Sequence, residues 1–178
     1  HLRRMFRVPF IGTVPAIKPA AALSASKVVA ILSTPATSVS PSLRKLVREH
    51  GADARVLRIG CPGLEELVEQ GAVSGSAVDA VLRRHLAPAL RAGADVMVLG
   101  CTHYPFLGHR IAALSGATVV DSGAAIARRT RSVLHEAGLL RTAGRGSVRY
   151  WTNGSVAAFS RVAQLLLRIP VAARHADA

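Results

Sequence analysis

Short apolar runs of strand length alternate along this chain with stretches of helical periodicity, and that alternation argues for an α/β fold around a parallel sheet. Residues 27–33 (KVVAILS) form a continuous apolar run of the kind a strand covered on both faces shows. Residues 7–12, 54–59, 95–99, 117–120 and 147–152 read as further strands. Helices are expected over 40–50, 64–70, 76–92, 105–115, 122–137 and 155–168. Pro41 sits at a first-turn position and Gly51 at a stop. Pro88 falls inside the longest amphipathic pattern and is expected to kink or split it.

In open α/β sheets, ligands bind beyond the carboxyl ends of the strands. The segments there are Thr34-Pro35-Ala36-Thr37, Gly60-Cys61-Pro62, Gly100-Cys101-Thr102-His103 and Asp121-Ser122-Gly123. They carry hydroxyl, thiol and carboxylate groups, as a polar pocket requires. Asp121-Ser122 reads as a helix cap. His50, His85, His109 and His135 fall on helices or at their ends and read as surface residues.

Composition narrows the function classes. Half the residues are hydrophobic and 19% are charged, which is too apolar for a disordered chain. No apolar run approaches the roughly 18 residues of a membrane span. The opening HLRRMFRVPFIG lacks the apolar core and small-residue cleavage site of a secretory leader. Two cysteines cannot build a disulfide framework, so reduced thiols and a cytoplasmic location are expected. The net charge of +13 rests on 20 Arg and three Lys. The arginines are scattered, in groups no larger than pairs, and are not interleaved with aromatics. No nucleic-acid partner is therefore expected.

The turn after residues 95–99 carries the chemistry. Cys101 follows a strand and precedes a helix, where unpaired amides and the helix dipole favour thiolate over thiol. His103 can bond that sulfur or a substrate carboxylate, or relay a proton. A nucleophile, a general base and a buried structural cysteine beside a capping histidine all remain open on this spacing. A closed zinc site does not, because no second Cys/His pair stands nearby. Lys18, Lys27 and Lys45 lie away from strand ends, so no pyridoxal-type lysine is apparent and no cofactor is expected.

VLGCTHYPFL (98–107) closely resembles the second cysteine signature of glutamate racemases. VPAIKPA (14–20) resembles that family's crossover between lobes, STPAT (33–37) its Thr-x-x-Thr turn, and LVEQG (67–71) the segment with a helper glutamate. VDSGAAIARRT (120–130) resembles the stretch that returns to the first lobe. The matches keep the family's order over residues 6–167.

The resemblance implies cofactor-independent racemisation of L- to D-glutamate for peptidoglycan precursors. Cys101 would serve the L-glutamate face, assisted by His103, with Glu69 acting on His103. Thr34, Thr37 and Thr102 would hold the substrate carboxylates. It further implies α/β lobes of the racemase type, one complete and one partly present. Residues 1–13 would end the first lobe, 14–123 form the second, 124–168 return to the first, and 169–178 be a tail. The family's first-lobe Asp-Ser turn, Tyr-Gly turn and Cys-Asn-Thr motif are not in these 178 residues. Together with the His1 start, this makes the chain resemble the C-terminal two-thirds of such an enzyme, expected to be inactive alone. Cys61 resembles a Cys-Pro turn of the second lobe and not the missing thiol. Small-molecule glutamate is the expected partner, with a homodimer as the assembly to test. Aspartate or hydantoin racemisation, and a non-catalytic binding remnant of the fold, are the alternatives.

Overall fold

The computed structural model describes residues 2–176. A single turn, α1 (Leu2–Met5), leads through extended chain to α2 (Ile17–Leu23), then β1 (Val28–Ser33), α3 (Pro35–Ser38), α4 (Pro41–His50) and β2 (Arg55–Gly60). Next come α5 (Leu64–Glu69), α6 (Ser76–Arg91), β3 (Val96–Leu99), a 3-10 turn (Tyr104–Leu107) and α7 (Gly108–Ser115). The chain continues through β4 (Thr118–Val120), α8 (Gly123–Glu136), β5 (Tyr150–Thr152), α9 (Val156–Leu167) and β6 (Ala173–His175).

Four parallel strands form one sheet in the order β2-β1-β3-β4. Its two central strands are buried on both faces, which explains their unbroken apolar sequence. Val29 and Ile31 of β1 and Val96 and Val98 of β3 pack with Ile17, Ala20 and Leu43 from α2 and α4. The alternate residues Ala30, Leu32, Met97 and Leu99 pack on the opposite face, in a core with Leu64, Val68, Leu82, Leu86 and Ile111. The two-residue period of a strand thus divides one apolar run between two cores. Asp95 ties the start of β3 to the α2–β1 connection. Its carboxylate accepts from Ser24 Oγ at 2.6 Å and from the N–H groups of Ala25 and Ser26, each at 2.8 Å.

Three expectations are corrected. Residues 7–12 are not a strand. They bend at residues 7–8 and are largely exposed, so their apolar side chains gain none of the packing on a sheet face that favours a strand. Pro88 neither splits nor ends α6, which runs unbroken from Ser76 to Arg91. Its missing N–H costs the helix one bond, while Leu82, Leu86 and Ala89 anchor the turns around it in the core. Residues 169–178, read as a tail, contain β6, which pairs in parallel with β5 through Tyr150↔Ala173 and Thr152↔His175. Val171 is buried beside it.

Neither α8 nor α9 contains a buried residue, and Trp151, Phe159, Leu165 and Leu167 stand exposed. Among the described residues, no helix is long and apolar enough to cross a membrane.

Candidate active site

The strand order reverses direction between β1 and β3, and the loops leaving those two strands flank the crevice where such sheets bind ligands. Thr34 follows β1 and Cys101 follows β3. Gly100 joins them closely: its N–H donates to the Leu32 carbonyl at 2.8 Å. A Cβ at Gly100 would lie 3.0 Å from that carbonyl oxygen, 3.1 Å from Ile31 Cγ2 and 3.2 Å from Ser33 Cβ. Only glycine lets the Cys101 turn approach β1 this closely.

Cys101 is half-buried, with its Sγ 3.6 Å from His103 Nδ1. His103 Nε2 lies 3.0 Å from Glu69 Oε1. With the carboxylate accepting from Nε2–H, a neutral imidazole presents Nδ1 as an acceptor toward the sulfur. The three groups form a continuous proton path: thiol, imidazole, carboxylate. Glu69 reaches it because α5 begins at Gly63, whose φ of +87° turns the chain sharply out of the post-β2 loop. Leu64 and Val68 then seat the helix in the core.

The electrostatics correct one expectation. Burial raises the Cys101 pKa above the ordinary thiol value. The backbone N–H groups of His103 and Tyr104 pull it down, while the Glu65 and Glu69 carboxylates push it up. The amides of the turn are outweighed by desolvation, and the carboxylates add to it. Cys101 therefore rests as a thiol, with His103 Nδ1 beside its sulfur.

The threonines divide. Thr102 lines both clefts that flank the turn. One, of about 300 Å³, is bounded by Val14, Gly100, Cys101, Asp121 and Ser122. The other, of about 420 Å³, lies between Glu69, His103 and α9 residues Phe159 and Leu166. Thr34 and Thr37 form a separate pair: Thr34 Oγ1 donates to Thr37 Oγ1 at 3.0 Å and accepts from the Thr37 N–H at 3.3 Å, capping α3. Asp121 is the cap of α8, its Oδ1 accepting from the Gly123 N–H at 2.6 Å, while Ser122 makes no side-chain cap.

Cys61 is fully buried, and desolvation pushes its thiol up to about 12, which leaves it inert. His85, read as a surface residue, is instead buried. It shares the apolar stripe of α6 with Val78, Leu82 and Ala89, and its Nε2 donates to the Pro62 carbonyl at 3.0 Å. Burial lowers its pKa and holds it neutral. Two residues at the site escaped the sequence reading. The buried Tyr104 shares its one hydroxyl proton between the Cys61 carbonyl at 3.2 Å and Glu65 Oε2 at 3.3 Å. The available signal was the i,i+4 spacing of Glu65 and Glu69, which places both carboxylates on one face of α5.

Residues 1–130 match the Asp/Glu/Hydantoin racemase family model. The chain is 40% identical over 169 residues to a glutamate racemase of Herpetosiphon aurantiacus, covering 93% of this chain and 66% of that protein. It is 47% identical over 162 residues to a glutamate racemase of Deinococcus radiodurans, covering 88% of this chain and 56% of that protein. Among solved structures, it superposes with a TM-score of 0.81 and 31% identity on Escherichia coli glutamate racemase in complex with L-glutamate and the activator UDP-MurNAc-ala. That match covers 98% of this chain and 66% of the other. The chain thus spans between about half and two thirds of the length of these relatives.

Proposed function

The chain belongs to the Asp/Glu/hydantoin racemase family, and from that premise we propose that it forms the Cys101 half of a cofactor-independent glutamate racemase. The observation that carries this reading is the thiol–imidazole–carboxylate path at the β1/β3 crevice, with steps of 3.6 and 3.0 Å. That these relatives are glutamate racemases supports glutamate as substrate. D-glutamate for peptidoglycan precursors, made in the cytoplasm, would be the product's use.

In the proposed mechanism His103 Nδ1 takes the Cys101 proton, and the resulting imidazolium pairs with Glu69. The thiolate then removes the α-proton from the L face: the Cα–H bond breaks, an S–H bond forms, and the electron pair stays on Cα beside the carboxylate. An acid on the opposite face returns a proton to give the D isomer, and the reverse reaction runs the same steps backwards. Thr102, Thr34 and Thr37 supply hydroxyls and turn N–H groups to the substrate carboxylates. The raised thiol pKa fits the donor half of this cycle, since a group that rests protonated is ready to protonate the carbanion. Residues 14–123 would form the lobe carrying these groups. Residues 1–13 and 124–168 would belong with the opposite lobe, burying the apolar faces of α8 and α9. A homodimer is the assembly to test.

Inversion by this route needs a second thiol, and the buried Cys61 is no substitute. Residues 1–178 alone, followed by circular dichroism, should give no steady L-to-D conversion above a Cys101→Ser control. Steady conversion would place a second acid within this chain and contradict the two-thiol route. In the racemase that carries this sequence, L-glutamate should turn over faster than L-aspartate. The opposite preference would favour the aspartate alternative.

A further inference from the structure

The two carboxylates that α5 presents one turn apart grip consecutive residues of the Cys101 turn. Glu69 takes His103, and Glu65 takes Tyr104. The Tyr104 ring is fully buried, and its hydroxyl also holds the Cys61 carbonyl, so the phenol joins the start of α5, the loop before it and the 3-10 turn. Its own backbone N–H donates to the Cys101 carbonyl at 3.2 Å. Movement of this ring would therefore move the sulfur's turn. We propose that Glu65 is a positioning residue: bound by the Tyr104 hydroxyl, it fixes the register of α5 against the Cys101–Tyr104 turn so that Glu69 meets His103.

This inference rests on the proposed proton path, and three features favour a positioning role. The Glu69 side chain is mostly exposed, and its one hydrogen bond among the described residues is to His103. The Glu65–Tyr104 contact is at the shielded end of the same helix face, where a phenol hydroxyl and a carboxylate compete less with water. The groups that act on the Cys101 sulfur from the elements around it are His103 and Tyr104 of its own turn and Glu65 and Glu69 of α5, while Cys101 in turn acts on Cys61 of the preceding loop. Both α5 carboxylates act in one direction, raising the thiol pKa.

The test is a double-mutant cycle read by Cys101 alkylation with iodoacetamide across pH, resolved from Cys61 by peptide mass spectrometry. It uses residues 1–178 and needs no turnover. Glu69→Gln in the wild-type background is expected to change the Cys101 rate by about threefold, a coupling of ordinary size for contacting groups. In the Tyr104→Phe or Glu65→Ala background the same change should shrink to less than about 1.5-fold. Glu65→Gln, which keeps an acceptor oxygen, should restore the Glu69 effect. Should Tyr104→Phe fail to fold, Glu65→Ala and Glu65→Gln carry the cycle. An equal Glu69→Gln effect in every background overturns the positioning role. No Glu69→Gln effect even in the wild type removes the contact that Glu65 is said to position, and overturns it too. Neither outcome touches the racemase reading, which stands or falls on turnover by the Cys101→Ser enzyme.

Discussion

His103 Nε2 stands 3.0 Å from Glu69 Oε1, although 34 residues separate them in the chain. The pairing follows from core packing. Leu64 and Val68 of α5 share one apolar cluster with Tyr104 and Leu107, so helix and turn are seated against each other before their polar groups meet. The carboxylates on the same face of α5 then fall over the turn that follows β3. Apolar burial thus brings helix and turn together, and the Glu65–Tyr104 contact lies between the same two elements.

The thiol–imidazole–carboxylate path also depends on Gly100. Gly100→Ala should destabilise the fold by about 1–3 kcal/mol, because the added methyl meets the backbone and side chains of β1. Urea denaturation should show a lower midpoint at unchanged slope. An unchanged midpoint would mean that β1 and the Cys101 turn part easily.

Asp95 gives a pH signature. Hydrogen bonds from Ser24, Ser26 and Ala25 hold its carboxyl well below the usual carboxylate range. A depressed folded-state pKa adds stability above the unfolded value of about 4, and that stability is lost as pH falls through the folded-state value. Asp95→Asn should therefore lower stability near neutral pH, by an amount that solvent screening keeps small. The gap to wild type should close progressively below about pH 4. Parallel denaturation curves over that range would show that the carboxylate charge adds nothing.

The sheet was legible because the strands within KVVAILS and DVMVL are buried on both faces and, apart from the buried Ser33 at the end of β1, carry only apolar residues there. The Cys101–His103 turn stood out in the sequence through its place after a strand and its likeness to the family's second cysteine signature, while its spacing alone left a structural cysteine open. What failed depended on contacts remote in sequence. Residues 7–12 have strand composition but stay largely exposed and form no strand. His85 is polar by type, yet the apolar stripe of α6 carries it inward to the Pro62 carbonyl. The Cys101 thiol was read from its own turn, whereas Glu65, Glu69 and burial act on it from outside that turn. Strand β6 has three residues, too few for any periodicity to appear.

His103→Asn should lower kcat by about a hundredfold while changing KM far less, because a proton-handling group acts in the transition state. Steady-state kinetics in both directions would measure it. A change confined to KM would make His103 a binding residue and leave the thiol to exchange its proton by another way.

The proposed role of Cys101 at the α-carbon is checked by following L-glutamate in D2O with the protein that carries this sequence, by proton NMR. Cys101→Ser should fold as the wild type does, because the serine hydroxyl is close in size to the thiol. It should also lose α-deuterium uptake from L-glutamate by about 10³-fold or more, since a hydroxyl is a far weaker acid. Uptake and inversion at wild-type rates in the Cys101→Ser enzyme would show that another group takes the α-proton.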